Sequence, residues 1–336
     1  MSGWDLNEGI ITEYNPSEEQ LWTLFNFVFS DSCKKRNTYK YGFIKSLLDN
    51  CFNGIQVDKG IFYRYEELFA RFAENYWNLV VKYNLRQTRK DGKSQFSKVE
   101  IIFNAAIEKD NTLQYLEFES IEKTMKASIV NEITKECKKY VIGALYEDFN
   151  GIIYEFDKKA DGLILNKSVH DFMLKYKMEL EKINYYSWAK FLEQINEDNV
   201  LVRVIDKLEV STPHRSDLSV YRHILQVEFE ENNCFYCGRK LGDVVHVDHF
   251  IPWSFIKDDK LWNFVLACPT CNTKKNNKIP SYEYLLRIEN RNRIIQNEKD
   301  TVMINKDFSE YSEGLLRCIW KYAKLSGFKE MSSRNG

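Results

Sequence analysis

CFYCGRKLGDVVHVDHFIPWSFIKDDKLWNFVLACPTCNTKKNNKIP, residues 234–280, holds two Cys-x-x-Cys pairs, Cys234/Cys237 and Cys268/Cys271, with Asp248-His249 between them. One such pair says little. Two of them, each beside turn-forming residues, supply four thiolates at the count and spacing of a closed tetrahedral Zn2+ site. The 30 residues between the pairs exceed the gap of an ordinary zinc ribbon, so the metal is expected to tie off the base of an inserted hairpin. Inside the insert, Leu241-Gly242 reads as a turn and residues 244–250 alternate as a strand that Pro252 ends. Residues 264–267 read as a second strand and 270–278 as a short helix. This β-β-α order sets Asp248 and His249 at one strand end and Asn272 in the first helical turn, facing across a small cleft. A core of this size does not hold such geometry by burial alone, and a metal staple supplies the rest.

At these residues the chain resembles the HNH endonuclease family, whose catalytic core is the ββα-metal motif. The resemblance rests on Asp248-His249, Ile251-Pro252, Asn263, and the run Cys268-Pro-Thr-Cys271-Asn272 with Lys274 and Lys275. His249, Asn263 and Asn272 stand at the family's three signature positions, in the variant where Asn replaces the last His. The resemblance implies metal-dependent hydrolysis of DNA. In it His249 is the general base, Asn263 a support that aims His249, and Asp248 with Asn272 the ligands of a catalytic Mg2+ (or Mn2+). The chemistry is feasible: an imidazole accepts a proton near neutral pH, and carboxylate and amide oxygens suit hard cations. His246, two residues before Asp248 on the same strand face, reads as a packed or solvent-bonded histidine, with an extra ligand or phosphate contact as the alternative.

Outward from this window the chain is ordinary in composition. Its 336 residues suffice for about two domains, and its 48 basic residues against 49 acidic ones leave no whole-molecule field that draws nucleic acid. Any such attraction is local. No apolar run reaches about 18 residues, and the opening MSGWDLNEGI lacks a basic-then-apolar leader, so a cytoplasmic location without membrane is expected. There Cys33, Cys51, Cys137 and Cys318 are expected as buried free thiols.

The expected architecture is mainly α: a helical domain over 1–232, the zinc-stabilised nuclease core over 233–282, and a helical extension over 283–336. Ser17-Glu18-Glu19-Gln20 is a capping box ahead of an apolar helical face. Phe43 to Cys51 and Leu68 to Val80 repeat the helical spacing, as do residues 169–192 and 218–229. Residues 152–156 and 163–165 read as a small β patch. Two basic clusters stand out, Lys34/Lys35/Arg36/Lys40 and Arg86/Arg89/Lys90/Lys93/Lys98. Each reads first as a solvated loop, with a grip on phosphates as the alternative. Tyr185, Tyr186, Trp188 and Phe191 read as core rather than as a base-stacking platform, and His170 and His214 as exposed or hydrogen-bonded.

Beyond the core, Lys274, Lys275, Arg287, Arg291 and Arg293 make a basic stretch expected to contact DNA phosphates. The helical half would recognise substrate, sense a signal, or bind a protein partner or a second copy of the chain. By analogy within the family, the setting would be prokaryotic restriction or anti-phage defence. Two other readings stand beside catalysis: a zinc-stabilised nucleic-acid-binding module, and a subunit of a larger complex.

Overall fold

The computed structural model describes residues 5–90, 95–210, 218–227, 229, 231–298, 307–309, 311–312 and 314–331. Lys93 and His214 lie outside them. The chain is mostly helical and divides into two compact units, Met1–His214 and Arg215–Gly336.

In the first unit, α1 (Glu18–Phe29) opens on the expected capping box: the Ser17 hydroxyl accepts from the Gln20 N–H, and the Gln20 side chain accepts from the Ser17 N–H. α2 (Tyr39–Asp49) follows, and all its residues except Lys40 are buried. Gly42 permits this, because a Cβ there would collide with the ring of Tyr76. Next come a hairpin of β2 (Ile55–Val57) and β3 (Gly60–Arg64), then α3 (Tyr65–Trp77), α4 (Lys98–Lys109) and the long α5 (Lys123–Asp148). The anticipated β patch is β4 (Tyr154–Asp157) and β5 (Gly162–Asn166), paired antiparallel. With the edge strand β1 (Glu8–Gly9) they complete a five-stranded antiparallel sheet of order β1-β4-β5-β3-β2. The hairpin at 55–64 goes beyond the sequence reading because strands of three and five residues are too short to leave a periodic trace. The single helix expected over 169–192 is two, α6 (Lys167–Lys175) and α7 (Lys177–Ile195), broken at Tyr176.

A ring-rich core joins these elements. Tyr76 and Trp188 lie 5.1 Å apart, Phe43 and Phe69 5.6 Å, and each such buried ring contributes roughly 1.5–3 kcal/mol. Within it sits an ion cluster. Lys45 pairs with Asp49 one turn on and with Glu181 of α7 at 3.6 Å; Lys177 meets Glu181 at 3.0 Å; Asn75 donates to Asp49 at 3.0 Å. None of the four charged side chains is more than 3% exposed. His170 is buried too, its Nε2 2.9 Å from the Cys51 carbonyl. Cys33, Cys51 and Cys137 are buried free thiols as expected, whereas Cys318 is exposed. The short helices α8 (Asp198–Leu201) and α9 (Val204–Val210) close this unit.

The second unit begins before residue 233, with α10 (Ser219–Val227) packed on the small sheet of β6 (His246–His249) and β7 (Phe264–Ala267). Register is His246 opposite Ala267 through His249 opposite Phe264. α11 (Trp253–Ile256) interrupts the hairpin, and α12 (Pro269–Lys275) follows β7, which realises the β-β-α order. A two-residue strand β8 (Ile279–Pro280) leads into α13 (Tyr282–Glu298). The last helix, α14 (Leu315–Leu325), packs on α13, and β9 (Glu330–Met331) returns parallel to β8. Among the described residues no helix is long and apolar enough to cross a membrane.

Candidate active site

The four cysteines meet. Their sulfurs all lie within 4.8 Å of one another, with Cys237 and Cys268 at 4.0 Å. That separation is far beyond the ~2.05 Å of a disulfide and close to the ~3.8 Å edge of a tetrahedron with Zn–S bonds of about 2.3 Å. Local backbone explains the approach. Gly238 takes φ +70 and turns the first pair back on itself, its N–H bonded to the Cys234 carbonyl. Phe235 N–H joins the Leu266 carbonyl of β7, which brings that loop to the second pair. Cys268 is the N-cap of α12 and Pro269 its first residue, a position where the missing N–H costs nothing. The cluster fits a zinc site.

Beside it lies a cleft of about 370 Å³ lined by Asp248 and His249 of β6 and by Asn272 and Lys275 of α12. Asp248 is nearly buried, and both its oxygens accept bonds: one from the Tyr236 hydroxyl at 2.6 Å, the other from the Lys275 ammonium at 3.2 Å. Tyr236 sits between the two cysteines of the first pair. Burial first, and then the Asp248 charge, push its phenol well above the ordinary tyrosine range, so it stays a donor. Each carboxylate oxygen keeps lone-pair capacity beyond these bonds. Asn272 meets His246, amide nitrogen to Nδ1 at 2.9 Å, so its carbonyl oxygen is not spent there. A carboxylate from one element and an amide oxygen from another, lining one wet cleft, are donors that suit a hard cation.

His249 is 6% exposed and packs edge-on against Phe264 at 4.7 Å. Its Nε2 lies 2.8 Å from Asp259 Oδ1. A carboxylate only accepts, so Nε2 carries the proton and Nδ1 is left as the basic nitrogen. Asn263 is wholly buried and clamps Ile251 with both ends of its amide: Oδ1 accepts from the Ile251 N–H at 2.8 Å, and Nδ2 donates to its carbonyl at 3.0 Å. Phe250 N–H also reaches the Asn263 carbonyl, at 2.7 Å. The chain just after His249 is therefore fixed on both sides.

The basic stretch divides. Lys275, grouped in the sequence with phosphate contacts, is 1% exposed, and its ammonium is taken by Asp248 and the His249 carbonyl. Arg291 also turns inward, donating to the Phe264 carbonyl at 2.6 Å and pairing with Glu231 at 3.3 Å. Both cations are thus engaged within the unit, Lys275 buried and Arg291 partly so. Lys274, Arg287 and Arg293 are exposed; Arg287 lies over the Phe235 ring at 4.7 Å, and Arg293 donates to Asn290 at 2.7 Å. Asp259 and Tyr236 are the two site residues that sequence reasoning missed.

Neither the curated proteins nor the solved structures include a match to this chain. A family model does match, over the stretch that builds the thiol cluster and the cleft: residues 234–281 match the family described as HNH endonuclease.

Proposed function

We propose that the chain hydrolyses DNA phosphodiester bonds in the cleft between β6 and α12. The observation that carries this reading is the His249–Asp259 contact, which frees Nδ1 as a base beside Asp248 and across from Asn272. Asp248 and Asn272 would hold a Mg2+ or Mn2+ ion, which supplies positive charge for the phosphate oxygens and the departing alkoxide when bound. The chain's own groups do the rest. His249 Nδ1 takes a proton from water as the water oxygen bonds to phosphorus. The bond from phosphorus to the 3′ oxygen breaks, and that oxygen leaves with its electron pair to be protonated from solvent. Asp259 balances the imidazolium that forms, Asn263 keeps His249 aimed, and Tyr236 with Lys275 holds the Asp248 carboxylate in place. Lys274, Arg287 and Arg293 offer exposed charge to phosphates. The four cysteines hold a resident zinc that staples the core.

The test is plasmid cleavage in Mg2+ by the parent chain and by His249→Ala. Loss of a general base lowers the rate by about 10²–10⁴ while DNA is still bound. Equal cleavage by both chains would remove His249 from the chemistry and leave a zinc-stapled binding module as the better reading.

A further inference from the structure

The first unit brings together two basic segments that stand some fifty residues apart in the chain. Asn37 and Thr88 form an antiparallel bridge, Thr38 N–H reaches the Gln87 carbonyl at 3.0 Å, and Arg89 N–H reaches the Arg36 carbonyl at 3.2 Å. A buried bond from the Thr38 hydroxyl to the Gln87 side chain, 2.9 Å, locks the pairing. Lys34 and Lys35 then form a ridge with a cleft on either side, of about 550 and 600 Å³. Arg36, Lys40, Phe27 and Tyr140 line the first; Arg89, Lys190 and Tyr186 line the second.

Three properties mark the place as built for a ligand. Six basic residues line the clefts against three acidic ones; Lys40 is paired with Asp148 at 2.6 Å and Lys190 with Glu193 at 3.2 Å, so the excess charge rests on the others. Two of these cations are held by neutral groups: Lys35 donates to the carbonyls of Ser30 and Cys33, and Arg89 to the Gln194 amide at 2.6 Å while lying over Phe191 at 4.9 Å. Their charge is thus positioned without being cancelled by those partners. Aromatic rings stand in the clefts and face solvent, Tyr186 at 60% exposure, Phe27 at 41% and Tyr140 at 38%.

We infer that these paired clefts bind single-stranded nucleic acid, its phosphates over the Lys34–Lys35 ridge and Arg89, and unpaired bases against the flanking rings. The choice of nucleic acid among polyanions rests on the nuclease reading of the second unit. The choice of a single strand rests on the rings. A duplex keeps its bases stacked inside and offers no base face to Tyr186, whereas an unpaired base has one. Two concavities about one cationic ridge suit a strand that runs on from one to the other. A free nucleotide needs one.

The experiment uses the full chain carrying His249→Ala, so that no probe is cut, and a fluorescein-labelled oligo-dT titrated by anisotropy across a range of salt. Lys34→Ala with Arg89→Ala, both at exposed positions, should weaken binding and flatten the log–log salt slope by about 1.4, at ~0.7 per lost contact. Tyr186→Ala should weaken binding about five-fold or more with the slope unchanged, as a lost stacking contact does. The same variants should change the affinity of a blunt duplex much less. An unchanged slope in the double variant overturns the inference, as does an equal loss on duplex, or displacement of the oligonucleotide by poly-glutamate at equal charge. Plasmid cleavage by the chain with His249 restored is scored separately. Strand binding without cleavage would sink the nuclease reading alone, and cleavage with an indifferent slope would sink this inference alone.

Discussion

At His249 one hydrogen bond decides which nitrogen is basic. Asp259 accepts a hydrogen bond from Nε2–H at 2.8 Å, and the ring cannot turn over without breaking that bond. Asp259 touches no reacting atom in the proposed mechanism; it acts through His249. Asp259→Ala should therefore lower kcat by about 10–100-fold with KM near that of the parent, and Asp259→Asn, which retains an acceptor oxygen, should recover part of the loss. Nicking kinetics with a circular dichroism check measure both. A kcat for Asp259→Ala within about twofold of the parent would reduce the contact to packing. This residue also marks where reading from sequence stops. Asp258 and Asp259 are equivalent in the run Lys257-Asp258-Asp259-Lys260. What separates them is Lys257 in the left-handed region, φ 56, which ends α11 and turns the chain back toward β6.

At the scale of elements, the thiol cluster and the cleft share parts. The loop holding Cys234 and Cys237 carries Tyr236 to Asp248, and the helix that Cys268 caps carries Asn272 to His246 and Lys275 to Asp248. Purified protein should hold about one zinc per chain, resistant to brief EDTA treatment. Stripping it with a thiol-competitive chelator, or making Cys271→Ser, should abolish cleavage and the ordered near-ultraviolet dichroism of this unit. Metal analysis that finds no zinc in fully active protein would refute a structural role. These elements were legible because their constraints are local: fixed Cys spacing, a Pro after the first strand, an Asn that must bridge a turn. Tyr236 was not, since a tyrosine between two cysteines reads as filler until the fold brings Asp248 to its hydroxyl. The burial of Lys275 was hidden for a related reason. On a seven-residue helix the neighbours Lys274 and Lys275 point about 100° apart, and only packing tells which one is buried.

Across the molecule, the helical character was plain from periodicity, while the sheet of the first unit was only half visible. Its pairings join segments as far apart as Glu8 and Asp157, and short strands leave no periodic trace. The ion cluster of Lys45, Asp49, Lys177 and Glu181 was equally hidden, because two helices with Lys and Asp or Glu four residues apart look like solvated surface. Burial raises the expected cost of change there. Asp49→Ala should destabilise the first unit by about 3–5 kcal/mol, since it leaves two buried ammonium groups sharing the Glu181 carboxylate, and a thermal melt should show it. A cost below about 1 kcal/mol would mean that water reaches the cluster. The same long pairings bear on the order in which the molecule comes into being. Strand β1 waits for β4 and the outer edge of the β2–β3 hairpin for β5, and the ion cluster waits for α7, whereas β6 and β7 pair within a single hairpin and need no distant partner. On the ribosome the first unit emerges as a long stretch with open strand edges, exposed to mispairing until residue 166 is out. The second unit, made after the first, closes quickly once its own hairpin appears. A translating chain therefore acquires its basic clefts before the proposed cleavage site, and a chain halted between the two carries the clefts alone.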